Sequence, residues 1–78
     1  MALIKDATED WSAPIALSNT EIWQVREGNV FVSTDAAPEP DGGLNLFEQA
    51  GLRIAAGLTV RYRKTGTTSA LIAREIVE

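Results

Sequence analysis

Hydrophobic and polar residues alternate with a period of two over much of the chain between residues 20 and 77. The clearest segment is TEIWQVREGNVFVST, residues 20 to 34, in which two runs rich in β-branched and aromatic residues flank Gly28-Asn29. A two-residue, glycine-containing turn between such runs is typical of a β-hairpin. We expect the core to receive the side chains of one face of this hairpin: Trp23, Val25, Val30 and Val32.

The next two segments are a loop and a strand. DAAPEPDGG, residues 35 to 43, contains two prolines and two glycines and predicts a loop. LNLFEQAG then returns to an apolar alternation that favours a strand. A helix over residues 44 to 57 is the alternative, but it would place Gly51 in the middle of its apolar stripe, where glycine costs about 1 kcal/mol relative to alanine.

The remaining segments predict further strands. In LRIAAGLTVRYRK, residues 52 to 64, two alternating runs meet at Gly57, and we interpret the segment as a pair of strands. SALIAREIV, residues 69 to 77, is apolar on both faces, which is typical of a strand that is central in a sheet or packed against another subunit. The residues of 52 to 64 that we assign to the core are Leu52, Ile54, Leu58, Val60 and Tyr62.

Together these segments predict an all-β fold, a small β-sandwich or barrel of about six or seven short strands with an extended N-terminal arm. The arm covers residues 1–18, where the pattern is irregular and Pro14 excludes a central strand position. Residues 19–78 are expected to form a single β domain. Because Trp11, Ile15 and Leu17 are too apolar to remain in water, the second half of the arm should pack on the body or on a partner.

The composition argues against an enzyme. The chain of 78 residues contains no cysteine and no histidine, which removes disulfides, thiolate metal sites, the common zinc and iron ligand sets and the usual general base. We therefore expect no catalytic residues, no cofactor and no metal. Asp35, Glu39 and Asp41 could offer oxygen ligands to calcium, but their spacing matches no compact calcium loop, so a solvated loop is preferred.

The charge is negative overall and unevenly distributed. The net charge of −4 argues against a nucleic-acid binder, and without an apolar run of about 18 residues we expect no membrane span. No signal peptide is evident, so synthesis in a cytoplasm is expected. Residues 1–50 carry a net charge of −7 and residues 51–78 carry +3, a division that suits contacts between unlike surfaces within one molecule or between neighbours.

Three arginines in the basic part of the chain lie on the predicted outer faces: Arg53, Arg61 and Arg63. They could bind a phosphate or an anionic sugar through their guanidinium forks. They could equally form an outward face that pairs with acidic groups on a neighbouring strand or subunit. The second interpretation is preferred, because no glycine-rich phosphate cradle accompanies them.

The arrangement NTEIWQVREGNVFVST, LNLFEQAGLRIAAGLTVRYRKTG and ALIAREIV, over about residues 19 to 77, resembles small phage and prophage β-proteins. IAAGLTVRYR is also similar to the glycine turn of cupin-like barrels, but the histidines of their metal site are missing. The phage resemblance implies a virion component, such as a capsid decoration protein or a small tail or spike piece, in a symmetric oligomer. It carries over no functional residues.

Our hypothesis is therefore a non-enzymatic decoration or cement protein of a virion, a trimer that binds a larger lattice such as a major capsid or tail protein. Trp11, Pro14 and Ile15 would dock the arm on a neighbour, and Arg53, Arg61 and Arg63 would face acidic groups there. The alternatives are a tail or spike component, a small carbohydrate- or anion-binding module, and a host-directed regulator or inhibitor.

Overall fold

The computed structural model describes residues 2–35, 42–66 and 69–77, and within them the chain forms eight β-strands and no helix. They build two four-stranded antiparallel sheets, so the all-β prediction is confirmed. The first sheet has the order β1-β8-β3-β6 and the second has the order β2-β7-β4-β5. The strands are β1 Ala2–Ile4, β2 Ile15–Ala16, β3 Glu21–Glu27, β4 Val30–Ser33, β5 Leu44–Leu46, β6 Gly51–Ile54, β7 Thr59–Lys64 and β8 Leu71–Ile76.

The predicted number of six or seven strands is too low, because residues 1–18 contribute two strands of their own. β1 has three residues and β2 has two, and segments this short cannot display a recognisable period of two. β1 pairs with β8 in the first sheet, whereas β2 pairs with β7 in the second. The N-terminal segment therefore adds an edge strand to each sheet.

Both sheets turn their inner faces toward one shared core, which gives a sandwich-like arrangement. The rings of Trp23 in β3 and Tyr62 in β7 meet edge to face across it, with centroids 6.0 Å apart. Trp23, Val25, Val30 and Val32 are all buried, so their assignment to the core is confirmed. The other apolar members of the core are Ile4, Leu17, Leu46, Ile54, Val60, Tyr62, Ala70 and Ile72.

The prediction that the strands on either side of Gly28-Asn29 form a β-hairpin is wrong, because β3 and β4 belong to different sheets. β3 pairs with β6 and β8, and β4 pairs with β5 and β7. The chain passes from one sheet to the other at Gly28, which has φ +74°. The packing there is tight, because an added Cβ would lie 2.7 Å from the backbone oxygen of Ser69. Here glycine is required both by its positive φ and by the close approach of the backbone at Ser69 and Ala70.

The segment of residues 52 to 64 forms two strands, as predicted, but they lie in different sheets and do not pair with each other. β6 lies in the first sheet and β7 in the second, joined by a turn in which Gly57 has φ +88°. Leu58 is 42% exposed and is not part of the core, which corrects its assignment, because it lies in the connection before β7 begins. Leu52 is half-buried against the core, and Ile54, Val60 and Tyr62 are buried as predicted.

The strand that is apolar on both faces lies inside its sheet, as its pattern predicts. β8 has β1 on one side and β3 on the other. Ile72 and Ala73, which point to opposite faces, are 1% and 6% exposed. Residues 44–46 form the strand β5, so the preference for strand over helix in this segment is confirmed.

The second half of the N-terminal segment packs on the body of the protein along the open side of β7. The Ser12 N–H donates to the Tyr62 carbonyl at 2.8 Å, and the Lys64 N–H donates to the Thr8 carbonyl at 2.8 Å. Leu17 is buried at the end of this path. Since these bonds occupy backbone groups of β7, the N-terminal segment protects that strand from pairing with another chain.

Candidate interaction surfaces

The outer face of the second sheet combines two arginines with two aromatic rings. In β7 the side chains of Val60 and Tyr62 point into the core, which leaves Arg61 and Arg63 half-buried on the outer face. Phe31 of β4 lies in register with Arg63. We call the set Trp11, Phe31, Arg61 and Arg63 the basic-aromatic face.

Arg63 is the centre of the basic-aromatic face. Its guanidinium carbon lies 4.4 Å from the centroid of the Phe31 ring and 5.6 Å from the centroid of the Trp11 ring. Both distances are within the range of a cation–π interaction. The two rings therefore hold a positive charge in a defined position on the surface, at a lower entropic cost than a freely moving side chain would have on binding.

Arg61 lies beside this stack and keeps part of its hydrogen-bonding capacity. One terminal nitrogen donates to the Ser12 carbonyl at 3.3 Å. Its Nε–H is buried and has no acceptor in the part of the chain that the structure describes, and no ion pair links Arg61 to a described carboxylate. A buried donor without an acceptor costs about 1–3 kcal/mol. Because this Nε–H is fully covered, an acceptor from outside would have to meet the terminal nitrogens of the half-buried side chain.

The three arginines predicted as one group are not brought together. Arg53 lies in β6 with its side chain on the outer face of the first sheet, opposite Ile22 of β3. The core separates it from Arg61 and Arg63 on the second sheet. The three arginines therefore do not form a single site, and only Arg61 and Arg63 share a surface.

The three arm residues proposed for docking differ in how much surface they leave available. Trp11 is half-buried on Arg63, and Ile15 is half-buried in β2, opposite Val60 and against the core. Pro14 is exposed between them. The N-terminal segment thus contributes Trp11 to the basic-aromatic face while most of its other apolar contacts are made within the molecule.

Sequence reasoning missed a charged cluster on the inner side of the first sheet. Arg74 of β8 donates from Nε to Glu21 Oε1 at 2.8 Å and from Nη2 to Glu21 Oε2 at 2.9 Å, and Trp23 Nε1 donates to Glu21 Oε1 at 3.0 Å. The Arg74 hydrogen bonds hold the pKa of Glu21 below its ordinary value, against the opposing effect of burial. The alternation along the strands could have revealed this cluster. Arg74 is two residues from Ile72 and Glu21 is two residues from Trp23, so each points to the same inner face as its buried neighbour.

A second polar contact joins the N-terminal segment to the core. The Tyr62 hydroxyl donates to Asp6 Oδ1 at 2.8 Å. Burial of the phenol, together with this hydrogen bond to a carboxylate, raises the pKa of Tyr62 to about 12. In both this contact and the Glu21–Arg74 pair, the carboxylate accepts hydrogen bonds from side chains of the same molecule.

The described residues form no group of three acidic side chains that could hold a metal ion. Of the acidic loop considered above for calcium, Glu39 and Asp41 lie outside the described residues. Within the described ranges no helix is long and apolar enough to cross a membrane.

No protein-family model, no characterised protein and no solved structure matches this chain. What the protein does must therefore be inferred from its own surfaces. Those surfaces are the basic-aromatic face on the second sheet and the outer face of the first, which carries Ile22 beside Arg53.

Proposed function

We propose that the protein is a non-enzymatic structural protein that binds a larger protein lattice, as a capsid decoration or cement protein of a phage-type virion does. The observation that carries the proposal is the basic-aromatic face, in which Trp11 and Phe31 hold the Arg63 guanidinium beside Arg61. Tryptophan and arginine are the residue types most enriched where protein interfaces gain their affinity. On a chain with a net charge of −4, this face is a local site of positive charge.

Acidic groups on the lattice are the chemistry that this face would recognise. Arg63 is held in position before binding by the two rings, and the half-buried Arg61 beside it makes no ion pair with a described carboxylate. A carboxylate brought by a partner would pair with the Arg61 guanidinium in a partly desolvated setting, where charge-assisted hydrogen bonds are stronger than neutral ones. Small domains that lack disulfides and metals also gain stability by docking on a larger partner.

The experiment combines Arg61→Glu with Arg63→Glu. Particles purified from a culture of the source strain should contain the wild-type protein in a fixed ratio to a major particle protein, measured by quantitative mass spectrometry. The double variant should remain in the soluble fraction, because its charge now repels the acidic surface. Circular dichroism should show that it is still folded.

The control makes the same change of net charge elsewhere, with Lys5→Glu and Arg26→Glu at two exposed positions. This control protein should bind particles as the wild type does. Equal binding of the Arg61 and Arg63 double variant, or a wild-type protein that never sediments with particles, would exclude the proposal.

The second candidate is an anion- or carbohydrate-binding module, favoured by the half-buried Arg61 guanidinium, which makes no ion pair with a described carboxylate. Titration of the wild-type protein with inorganic phosphate and with an acidic oligosaccharide, followed by NMR, distinguishes it. Saturable shifts at Trp11, Arg61 and Arg63 would favour the module, and unchanged spectra would favour protein binding.

A further inference from the structure

The outer face of the first sheet carries two cross-strand rows whose composition follows from the register. One row joins Glu75 of β8, Ile22 of β3 and Arg53 of β6. The neighbouring row contains small and apolar residues together with one amide: Leu3, Ala73, Gln24 and Gly51. We call these two rows together the paired-row face.

The paired-row face carries two large apolar side chains that are exposed. Leu3 and Ile22 are 44% and 42% exposed on it. Because Ala73 and Gly51 are small, a shallow recess of about 230 Å³ opens between the rows, lined by Ile22, Gln24, Gly51, Ala73 and Glu75. Exposed apolar side chains around a recess are typical of a surface that associates.

The two charged side chains on this face have no partner among the residues that the structure describes. Glu75 and Arg53 flank Ile22 on either side, and neither side chain makes a hydrogen bond or an ion pair with any described residue. With strands about 4.8 Å apart, the two charges lie on the order of 10 Å from each other. The row therefore presents an acid, an apolar centre and a base in a line across the sheet.

We propose that a second copy of this chain docks on the paired-row face, with the two-fold axis running along β3. Rotation about that axis turns one sheet over the other and exchanges left and right. It places Ile22 over Ile22 of the second copy, Glu75 over Arg53, and Arg53 over Glu75. A two-fold axis across the strands would instead set Glu75 against Glu75, so the charges select one arrangement.

The arrangement agrees with how sheets pack and with how symmetric dimers form. Two sheets packed face to face keep their strands within about 30° of each other, which an axis along β3 allows. A two-fold interface uses the same patch on both subunits, so the patch must be complementary to itself. The Glu75–Ile22–Arg53 row has this property. The pair is independent of lattice binding and replaces the trimer of our hypothesis from the sequence.

The size of the face sets the expected affinity. The four strands of this sheet have 3, 6, 7 and 4 residues and cover on the order of 300 Å², so the pair buries less surface than a stable complex of standard size. We therefore expect a weak dimer whose population rises with concentration. Sedimentation velocity from about 10 µM to about 1 mM covers the range in which such an interface associates.

The decisive experiment is an exchange of charges. Arg53→Glu alone and Glu75→Arg alone should each weaken association at least tenfold, because each brings like charges together in both halves of the interface. The double variant with both changes should associate again, since the acid and the base have only exchanged places. Glu9→Arg, an equal change of charge at an exposed position outside both sheets, should leave association unchanged.

Three outcomes would overturn the proposal. They are a wild-type monomer at every concentration, a trimer mass in place of a dimer mass, and single variants that associate as strongly as the wild type. If one single variant fails to fold, Ile22→Lys supplies the same test at the centre of the row. Dimerisation of the double variant after loss in either single variant would identify this contact and no other.

Discussion

Arg74 donates two hydrogen bonds to Glu21, although the other inward side chains of its strand, β8, are mainly apolar. The donors are Nε and Nη2, at 2.8 and 2.9 Å, and the same guanidinium lies 5.2 Å from the centroid of the Trp23 ring. The pair is mostly covered, with side-chain exposures of 25% for Arg74 and 9% for Glu21. Two-point geometry of this kind fixes the relative position of β3 and β8.

Glu21→Gln should therefore lower the free energy of unfolding at pH 7. Loss of one partner leaves the Arg74 charge without its counterion, and because Arg74 is partly exposed we expect about 1–2 kcal/mol, below the 3–5 kcal/mol typical of fully buried pairs. Urea unfolding measures the difference. Glu27→Gln, at an exposed position of the same strand, should change stability by less than about 0.5 kcal/mol.

The same pair predicts the stability at acid pH. The pKa of Glu21 is lowered in the folded protein from an ordinary value of 4.5, so the folded state binds this proton less readily than the unfolded state. Its contribution is complete above pH 4.5 and is lost as the pH falls through the lower folded value. Stability curves of the wild type and Glu21→Gln should converge in that acid range, and a constant difference down to the lowest pH would contradict this assignment.

Tyr62→Phe should change the alkaline behaviour. The pKa of Tyr62 is raised from 10.0 to about 12, so its contribution is complete below pH 10 and is lost as the pH rises toward 12. A shift of this size corresponds to about 2–3 kcal/mol. The variant should lack this alkaline decline, and at pH 7 it should lose about 1 kcal/mol with the hydrogen bond to Asp6.

Tyr62 is the single tyrosine of the chain, so its ionisation can be followed directly by the ultraviolet absorbance of the phenolate. The midpoint should lie near pH 12 in the folded protein and near pH 10 in urea. Asp6→Asn tests the cause, since removing the neighbouring negative charge should bring the folded midpoint closer to 10. An unchanged midpoint would mean that burial alone raises it.

Two isoleucines of β8 provide a matched test of the core. Ile72 is 1% exposed and Ile76 is 56% exposed on the same strand. Ile72→Ala should cost about 2–5 kcal/mol, through lost burial and the cavity left behind. Ile76→Ala should cost less than about 1 kcal/mol, mainly the lower strand preference of alanine. Similar losses from thermal or urea unfolding would contradict the central placement of β8.

Substitution of two glycines can distinguish the cost of backbone strain from the cost of a steric clash. Gly57 has φ +88° and an added Cβ would meet nothing within 4 Å, whereas at Gly28, with φ +74°, it would lie 2.7 Å from Ser69 O. Gly57→Ala should cost only the positive φ, about 1–2 kcal/mol. Gly28→Ala should cost clearly more, because the Ser69 backbone must also move. Equal costs in urea unfolding would show that the crossing at Gly28 is less crowded than described.

Side-chain direction was predictable from the sequence, but strand pairing was not. Trp23, Val25, Val30 and Val32 point inward in the fold as they would in the predicted hairpin, because alternation determines only which side of a strand is apolar. The same four residues fill a core whether β3 and β4 pair with each other or face each other across it. Gly28-Asn29 has the residues of a hairpin turn. Whether β3 and β4 pair or lie in different sheets is decided by long-range pairing, of β3 with β8 and of β4 with β7.

The interaction surfaces were predictable only in part, for a related reason. Arg61 and Arg63 share a face because they are two residues apart on one strand, which the sequence displays. The Phe31–Arg63 stack and the Glu75–Ile22–Arg53 row depend on which strands are neighbours and in what register. The separation of Arg53 from the other two arginines likewise follows from the crossing between β6 and β7.

The placement of β8 between β1 and β3 has a consequence for how the protein is made. Of the strands that the structure describes, only β4 and β5 are both consecutive and paired, so nearly all pairing joins distant parts of the chain. Neither β1 nor β3 can form its hydrogen bonds with β8 before residues 71–76 have been synthesised. Folding should therefore be slow for a domain of this size, and ribosome-bound chains that end before residue 71 should be open to proteases throughout their length.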